Sequence, residues 1–403
     1  KKNRRSPVFS QRISKQVGMV LHRGSDRNLK GSRRKKKGMV DNSNCRPWSE
    51  LPEALLDLIT KSLGVIDYLM FGCVCKGWRL YVGAHRKEFM ASQPPLLVLV
   101  SSYARRTCYF YSIFDQKLYK AILPDLVGKR CSGVSCGYFV MEDKKKSSDS
   151  QIWFLNPFTR HELRFSSPPN PYLSIILASL ATPLQEFVII AIDVFFLQFR
   201  KSTDVNWTVY DYRDLFKDHF TDYSRWLLDG AVFNGKIYLL TNHGEIGVVR
   251  KLNPHPYVTM LEIESMGYRS FEVNLQLLAL DDKLLMICRN GPQIQREQFQ
   301  VFELNFSMMK WVKMENFNDQ DLFLRHRSSG FSNVTKWSGS RQPMNCIYNL
   351  GISDGICTLH FLDDRDPKPF PSPPPQPITR ASSGAPFWYF PNLSGSVDAL
   401  YDD

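Results

Sequence analysis

Beyond residue 95 the chain is written in short apolar and aromatic runs separated by Gly, Asp, Asn and Pro, the pattern of β-strands joined by turns. The strongest runs centre on Leu97 (LLVLV), Phe139 (GYFVME), Val188 (FVIIAI), Tyr238 (GKIYLL), Leu285 (DKLLMI) and Ile347 (NCIYNL), at steps of 42, 49, 50, 47 and 62 residues. A step near 50 is what a four-stranded propeller blade occupies, and kelch-type blades run at about that length. Second apolar stretches lie between these anchors (CYFYSI, QIWFLNPF, WTVYDY, VTMLEIE, QFQVFELN), so each unit has strands enough for an antiparallel sheet. The chain has neither the Gly-Gly pair usual in kelch repeats nor a Trp-Asp blade signature. A generic antiparallel β domain with closely spaced turns is therefore the alternative to a propeller.

Residues 48–88 follow a helical period instead. Pro52 suits a first helical position, and Leu51, Leu55, Leu58, Ile59 and Leu63 follow the 3, 4 spacing of one helix face, which Gly64 can end. Ile66, Leu69 and Met70 predict a second short helix, and Val74, Trp78 and Tyr81 a third. Gly72 and Gly77 each cost roughly 1 kcal/mol of helix propensity. Three short helices rarely hold a core alone, so such a unit wants a partner.

Charge separates the remaining segment from both. The formal net charge is +13, and residues 1–46 hold 15 Lys and Arg against Asp26 and Asp41, so the whole excess lies there. That composition, with no sustained apolar period, predicts a disordered basic arm. The division expected is an arm over 1–47, a helical domain over 48–92 and a β domain over 93–403, α+β by segments. With 43% hydrophobic and 13% aromatic residues the chain is too apolar to be disordered overall. The longest apolar run, Phe187 to Phe199, is shorter than the roughly 18 residues of a membrane span and contains Asp193, so no membrane partner is expected. Nine cysteines, an odd number, fit a reducing compartment better than a disulfide framework. Residues 366–377 (DPKPFPSPPPQP) read as a polyproline-type surface loop leading into the aromatic run PFWYFP.

Candidate chemistry is sparse. Gly133-Val134-Ser135-Cys136-Gly137 fits G-x-S-x-G, but a nucleophile elbow needs a helix after it, and Tyr138 to Met141 continues as a β-like run. Cys73-x-Cys75 and Cys131-x4-Cys136 lack partner pairs at zinc spacing, and Cys73 and Cys75 are expected to pack inside the helical unit. Asp281 with Asp282, and Asp363 with Asp364, fall where turns are expected. No phosphate-cradling glycine motif occurs. We expect no catalytic, cofactor-binding or metal residues, no cofactor, and no enzymatic activity.

Residues 48–79 (WSELPEALLDLITKSLGVIDYLMFGCVCKGWR) are similar to the F-box, whose pattern opens with Leu-Pro and acidic residues and closes on Val-Cys-Lys-x-Trp-Arg. The matching positions are Leu51, Pro52, Glu53, Leu55, Ile59, Leu69, Phe71, Val74, Cys75, Lys76, Trp78 and Arg79, and the two ends match at the right separation. The remainder resembles a plant group that joins an F-box to a kelch-like C-terminal domain of unknown function. Its local matches include CSGVSCGYFVM, WFLNPFTR, DGAVFNGKIYLL and FWYFP. The resemblance implies a small three-helix F-box followed by an all-β, propeller-like domain. It implies a substrate-recognition subunit of a Skp–cullin–F-box ubiquitin ligase, with a Skp-type adaptor and through it a cullin scaffold as partners, and an unknown protein target on the β domain. The residues expected to meet the Skp subunit are Leu51, Pro52, Leu55, Leu58, Ile59, Leu69, Val74, Cys75 and Trp78.

The arm leaves other readings open. Arg33, Arg34, Lys35, Lys36 and Lys37 suit a nuclear import signal, whereas the acid-poor stretch before them suits a mitochondrial transit peptide. Nucleus, cytoplasm or both are the expected locations, with mitochondria if the transit reading holds. A start at Met19 or Met39 would remove part or most of the arm. A non-ligase binding protein, nucleic-acid-associated or Skp-only, is the competing function. The neutral body, 37 basic against 37 acidic groups over residues 47–403, argues against nucleic acid as a specific partner.

Overall fold

The computed structural model describes residues 48–100, 107–112, 116–143, 150–180, 186–216, 225–250, 256–264, 266, 273–280, 282–290, 298–317, 321–325, 336–337, 345–350, 357–362, 365–370, 386–390 and 399–400. Three helices come first: α1 (Glu53–Thr60), α2 (Val65–Phe71) and α3 (Lys76–Ser92). Among the described residues the rest is strand, turn and three short 3-10 helices (Trp48–Glu50, Pro124–Leu126 and Arg213–Phe216), and the strands lie in six sheets that form the six blades of a propeller.

The inner strand of the four-stranded set in blades I to VI is, in turn, Phe387–Tyr389, Lys129–Ser135, Ser174–Leu180, Leu227–Phe233, Val273–Leu280 and Asp321–Arg325, and a two-residue strand pairs beyond it in blade III (Ala399–Leu400) and blade VI (Lys336–Trp337). All six anchor runs of the sequence pattern lie one strand further out: Leu96–Val100, Tyr138–Asp143, Glu186–Ile192, Lys236–Thr241, Lys283–Asn290 and Cys346–Leu350. Each of these strands carries a run of consecutive apolar residues because blades stack face to face, so both faces of a central strand are buried. Along one strand Leu96 and Val98 enter the core between blades I and II, while Leu97 and Leu99 enter the core between blades VI and I. The same partition repeats around the ring and gives six inter-blade cores. At Cys136–Gly137 and Asn234–Gly235 both turn residues have positive φ, 47° and 73°, and 46° and 74°. Two such residues in succession are what the tight inner hairpins of blades II and IV need.

The ring closes with a strand from the far end of the chain. Phe387–Tyr389 pairs with Leu96–Val98, so blade I is completed by the aromatic run that the sequence left unassigned. This strand lies beside the inner strands of both blade II and blade VI. Blade VI departs from the pattern of the others. Asp321–Arg325 runs parallel to Cys346–Leu350, because 20 residues separate them where a hairpin turn would take two, and this excess accounts for the 62-residue step. Of the proline-rich run, Lys368–Pro369 pairs with Thr358 and Leu359 as the outermost strand of blade VI, the edge position a proline tolerates. Residues 371–377 lie outside the described residues, as do the arm with Arg33 to Lys37, and Asp281, Asp363 and Asp364.

Candidate docking face of the helical unit

The helical unit is built around Leu56, Val65, Tyr68, Phe71, Tyr81 and Met90, all buried. Tyr68 stacks on Phe89 with ring centroids 3.7 Å apart and donates its hydroxyl to the Val82 carbonyl at 3.1 Å, and burial pushes its phenol up to about 12. On α1 the inward line is Leu56 and Thr60, one turn apart. Leu55 and Leu58 therefore point the other way.

Several local expectations are corrected here. Pro52 stands one residue before α1, as its cap, and its carbonyl accepts from the amides of Leu55 and Leu56. Gly64 does not end α1, which stops at Thr60 where Thr60 and Ser62 hydroxyls donate back to the carbonyls of Asp57 and Ile59; it caps the start of α2. Gly72 lies just past α2, so helix propensity is not at issue. It gives room instead: a Cβ there would sit 3.2 Å from Val82 Cγ1 of α3. Val74 belongs to the turn between α2 and α3, not to the third helix. Cys73 is exposed, not packed inside. Cys75 is half-buried and caps α3, its Sγ accepting from the Trp78 amide at 3.5 Å.

The exposed surface is the unit's distinguishing feature. Leu55, Leu58, Val74 and Leu80 are 45%, 64%, 61% and 67% exposed, and Trp48 at the start of the unit is exposed as well. Trp78 ties the segments together, stacking on Phe71 at 4.1 Å while its Nε1 donates to the Trp48 carbonyl at 3.0 Å. Of the nine residues expected to meet a Skp subunit, Pro52, Leu55, Leu58 and Val74 are exposed. Leu51, Ile59, Leu69 and Trp78 are half-buried against the helical core, and Cys75 serves as a cap. Leu80 was missed because the pattern ended at Arg79, and Leu56 because Leu55, Leu56, Leu58 and Ile59 give α1 two apolar faces. Polar contacts edge the surface: Lys61 Nζ lies 2.6 Å from Asp57 Oδ2, and His85 Nε2 lies 3.4 Å from Glu53 Oε1. The hydrogen bond from Lys61 holds the Asp57 carboxyl below its ordinary range.

Nucleophile chemistry at Ser135 has no support in the geometry. Ser135 is buried, its Oγ accepts from the Leu177 amide of blade III at 3.1 Å, and a strand follows it. Among the described residues no three His, Cys, Asp or Glu side chains are placed to hold a metal, and no helix is long and apolar enough to cross a membrane.

A three-helix unit with an apolar outer face, joined to a six-bladed ring, defines the class of F-box proteins that carry a propeller. The model described as F-box domain matches residues 48–89 and the one described as KIB1-4 beta-propeller matches residues 110–371, and the chain belongs to this KIB1-4 propeller family. The F-box protein At1g10110 of Arabidopsis thaliana is 22% identical over 356 residues, covering 74% of this chain and 84% of that one. Among solved structures, the β-propeller domain of Myceliophteria thermophila Cps50 (Swd1) overlays with a TM-score of 0.29 and 10% identity over 66% of this chain and 93% of that chain, too loosely to bear on function. F-box domains in general bind Skp1 within SCF complexes, and F-box proteins are in general non-catalytic adaptors.

Proposed function

We propose that this protein is the substrate-recognition adaptor of a Skp–cullin–F-box ubiquitin ligase. Residues 48–92 dock a Skp-type subunit and residues 93–403 hold a protein target for ubiquitination. The observation that carries the reading is the exposed group Leu55, Leu58, Val74 and Leu80 on the matched F-box segment. Burying each of these side chains fully is worth about 1.5–3 kcal/mol, so a partner that covers them gains from each. Leu51, Pro52, Ile59, Leu69, Cys75 and Trp78 complete the docking set, partly by contact and partly by holding the exposed residues in place. The adaptor contributes proximity between target and ubiquitin-conjugating enzyme, not bond-making groups. It acts in the nucleus, the cytoplasm or both.

Chain direction distinguishes the two ends of the propeller, and we assign the target to one of them. The helical unit enters blade I at Leu96, the end where the inner hairpin turns lie, so with four consecutive strands in each of blades II to V the connections between those blades open at the opposite end. Described segments there include 123–128, 212–216 and 261–264, and we place the target on that end.

The test is co-purification with a Skp-type adaptor. The intact chain should recover it and a Leu51→Ala, Pro52→Ala double variant should not; equal recovery would overturn the assignment.

A further inference from the structure

The turn at residues 156–161, within the sequence WFLNPFTRH, has no part in the docking face yet is built with unusual completeness. Asn156 is fully buried, and its Oδ1 accepts from the amides of Phe158 and Thr159 at 3.0 and 2.9 Å. Its backbone accepts from the Arg160 amide and donates to the His161 carbonyl, both at 2.9 Å, and Arg160 takes a positive φ of 62°. Arg160 Nη2 then donates to the Ile122 carbonyl at 3.1 Å, fastening this blade II turn to the outer strand of blade I.

What the turn presents is Phe158. The ring packs against the core between blades I and II, 5.5 Å from Phe110 and 5.2 Å from Tyr389, and it also packs against the core of the helical unit. No other residue is shared by these two cores among the described residues. Tyr389, fully buried, belongs to the strand that closes the ring, and its hydroxyl donates to the Gly137 carbonyl at 3.1 Å. Two further features narrow the junction. Only Gln93, Pro94 and Pro95 separate α3 from the first strand of blade I, and a Cβ at Gly64 would meet the Tyr119 hydroxyl of blade I at 3.2 Å. Arg86 of α3 acts on Tyr389 electrostatically, and its Nη2 is buried without a hydrogen-bond partner among the described residues.

We propose that Phe158 is a positioning residue that locks the helical unit and the propeller into one rigid body, and that this docking also holds the ring's closing strand, Phe387–Tyr389, in place. The coupling stands whether or not the protein is a ligase adaptor. If it is one, rigidity fixes the distance from the docking face to the target end.

The experiment uses the full chain with spin labels on unnatural side chains at exposed Lys87 and Val205, read by double electron–electron resonance, together with hydrogen exchange of residues 387–389. The intact chain should give a narrow distance distribution. Phe158→Ala and Asn156→Ala should broaden it and speed exchange at 387–389 severalfold, while the β-sheet circular dichroism stays native. Phe158→Leu, which keeps an apolar plug, should restore both readouts. A broad distribution in the intact chain, or an unchanged width and exchange rate in Phe158→Ala, would overturn the proposal. Neither readout involves an adaptor, so its failure is separable from failure of the ligase reading.

Discussion

The carboxylate of Asp229, on the inner strand of blade IV, accepts a hydrogen bond from the amide of Leu277, on the inner strand of blade V, at 3.1 Å. Its other oxygen accepts from the Ser174 hydroxyl of blade III at 3.2 Å and from the Gly230 amide at 3.0 Å. One buried side chain thus stitches three blades where no continuous sheet joins them. Asp229→Ala removes all three bonds and leaves buried donors unsatisfied, at a cost of about 2–3 kcal/mol. Urea unfolding should show that loss as a lower midpoint; an unchanged midpoint would mean the stitch contributes nothing net.

Asp321 carries a second inter-strand bond, its Oδ1 accepting from the Cys346 amide at 2.9 Å across the parallel pair of blade VI. Burial pushes this carboxyl up to about 6, against the lesser downward pull of the Cys346 amide. The folded state therefore keeps the proton at pH values where the unfolded chain, near 3.8, has released it. Stability from this group is full below about pH 4, falls as pH rises toward 6, and stays low above it. Asp321→Asn keeps an oxygen acceptor and cannot ionise. It should raise stability by something on the order of 1 kcal/mol at pH 7.5, with the gain gone by pH 4. Thermal melts at both pH values decide this; an equal offset at each would show that ionisation of Asp321 is not the cause.

How much of this was legible in the sequence depended on which contacts are local. The second strand of each blade announced itself because both of its faces are buried, so Phe187 to Ile192 reads as unbroken apolar residues and the six runs recur at nearly blade length. The closing strand did not, because Phe387–Tyr389 pairs with Leu96–Val98 almost 300 residues earlier, and no local pattern encodes that partner. The parallel pairing of Asp321–Arg325 was equally silent, for the same reason. In the helical unit, periodicity found an apolar line through Leu55, Leu58 and Ile59 but could not say whether it faced in or out. Leu56 at 5% exposure and Leu58 at 64% give the answer only in three dimensions.

Gly230 offers a test of how tightly the blades are packed. A Cβ on this inner strand of blade IV would sit 2.8 Å from Ile176 Cδ1, 3.0 Å from Ile192 Cδ1 and 3.1 Å from Leu239 Cδ2. Gly230→Ala should therefore overpack the core between blades III and IV and cost about 1–3 kcal/mol. Ile176→Val deletes the nearest of those methyl groups, so the double variant should recover part of the loss. A double-mutant cycle in urea with no coupling between the two positions would refute the overpacking account.

Leu55 and Leu58 of the proposed docking face make the sharpest functional test because both are exposed, whereas their neighbour Leu56 holds the fold. Leu58 is mostly in water, so Leu58→Asp should change stability by no more than about 0.5 kcal/mol. If a Skp-type subunit covers it, a desolvated carboxylate replaces an apolar contact, and loss of one buried leucine alone, about 1.5–3 kcal/mol, weakens binding by at least roughly tenfold. Leu55→Asp should behave the same way. Leu56→Ala is the contrasting case: it empties part of the helical core at a cost of about 2–5 kcal/mol and would lose the partner only by loosening the unit that presents the face. Calorimetric titration of purified adaptor, paired with a melt of each variant, distinguishes the two routes. Full-affinity binding by a stably folded Leu55→Asp, Leu58→Asp variant would move the docking face elsewhere on the molecule.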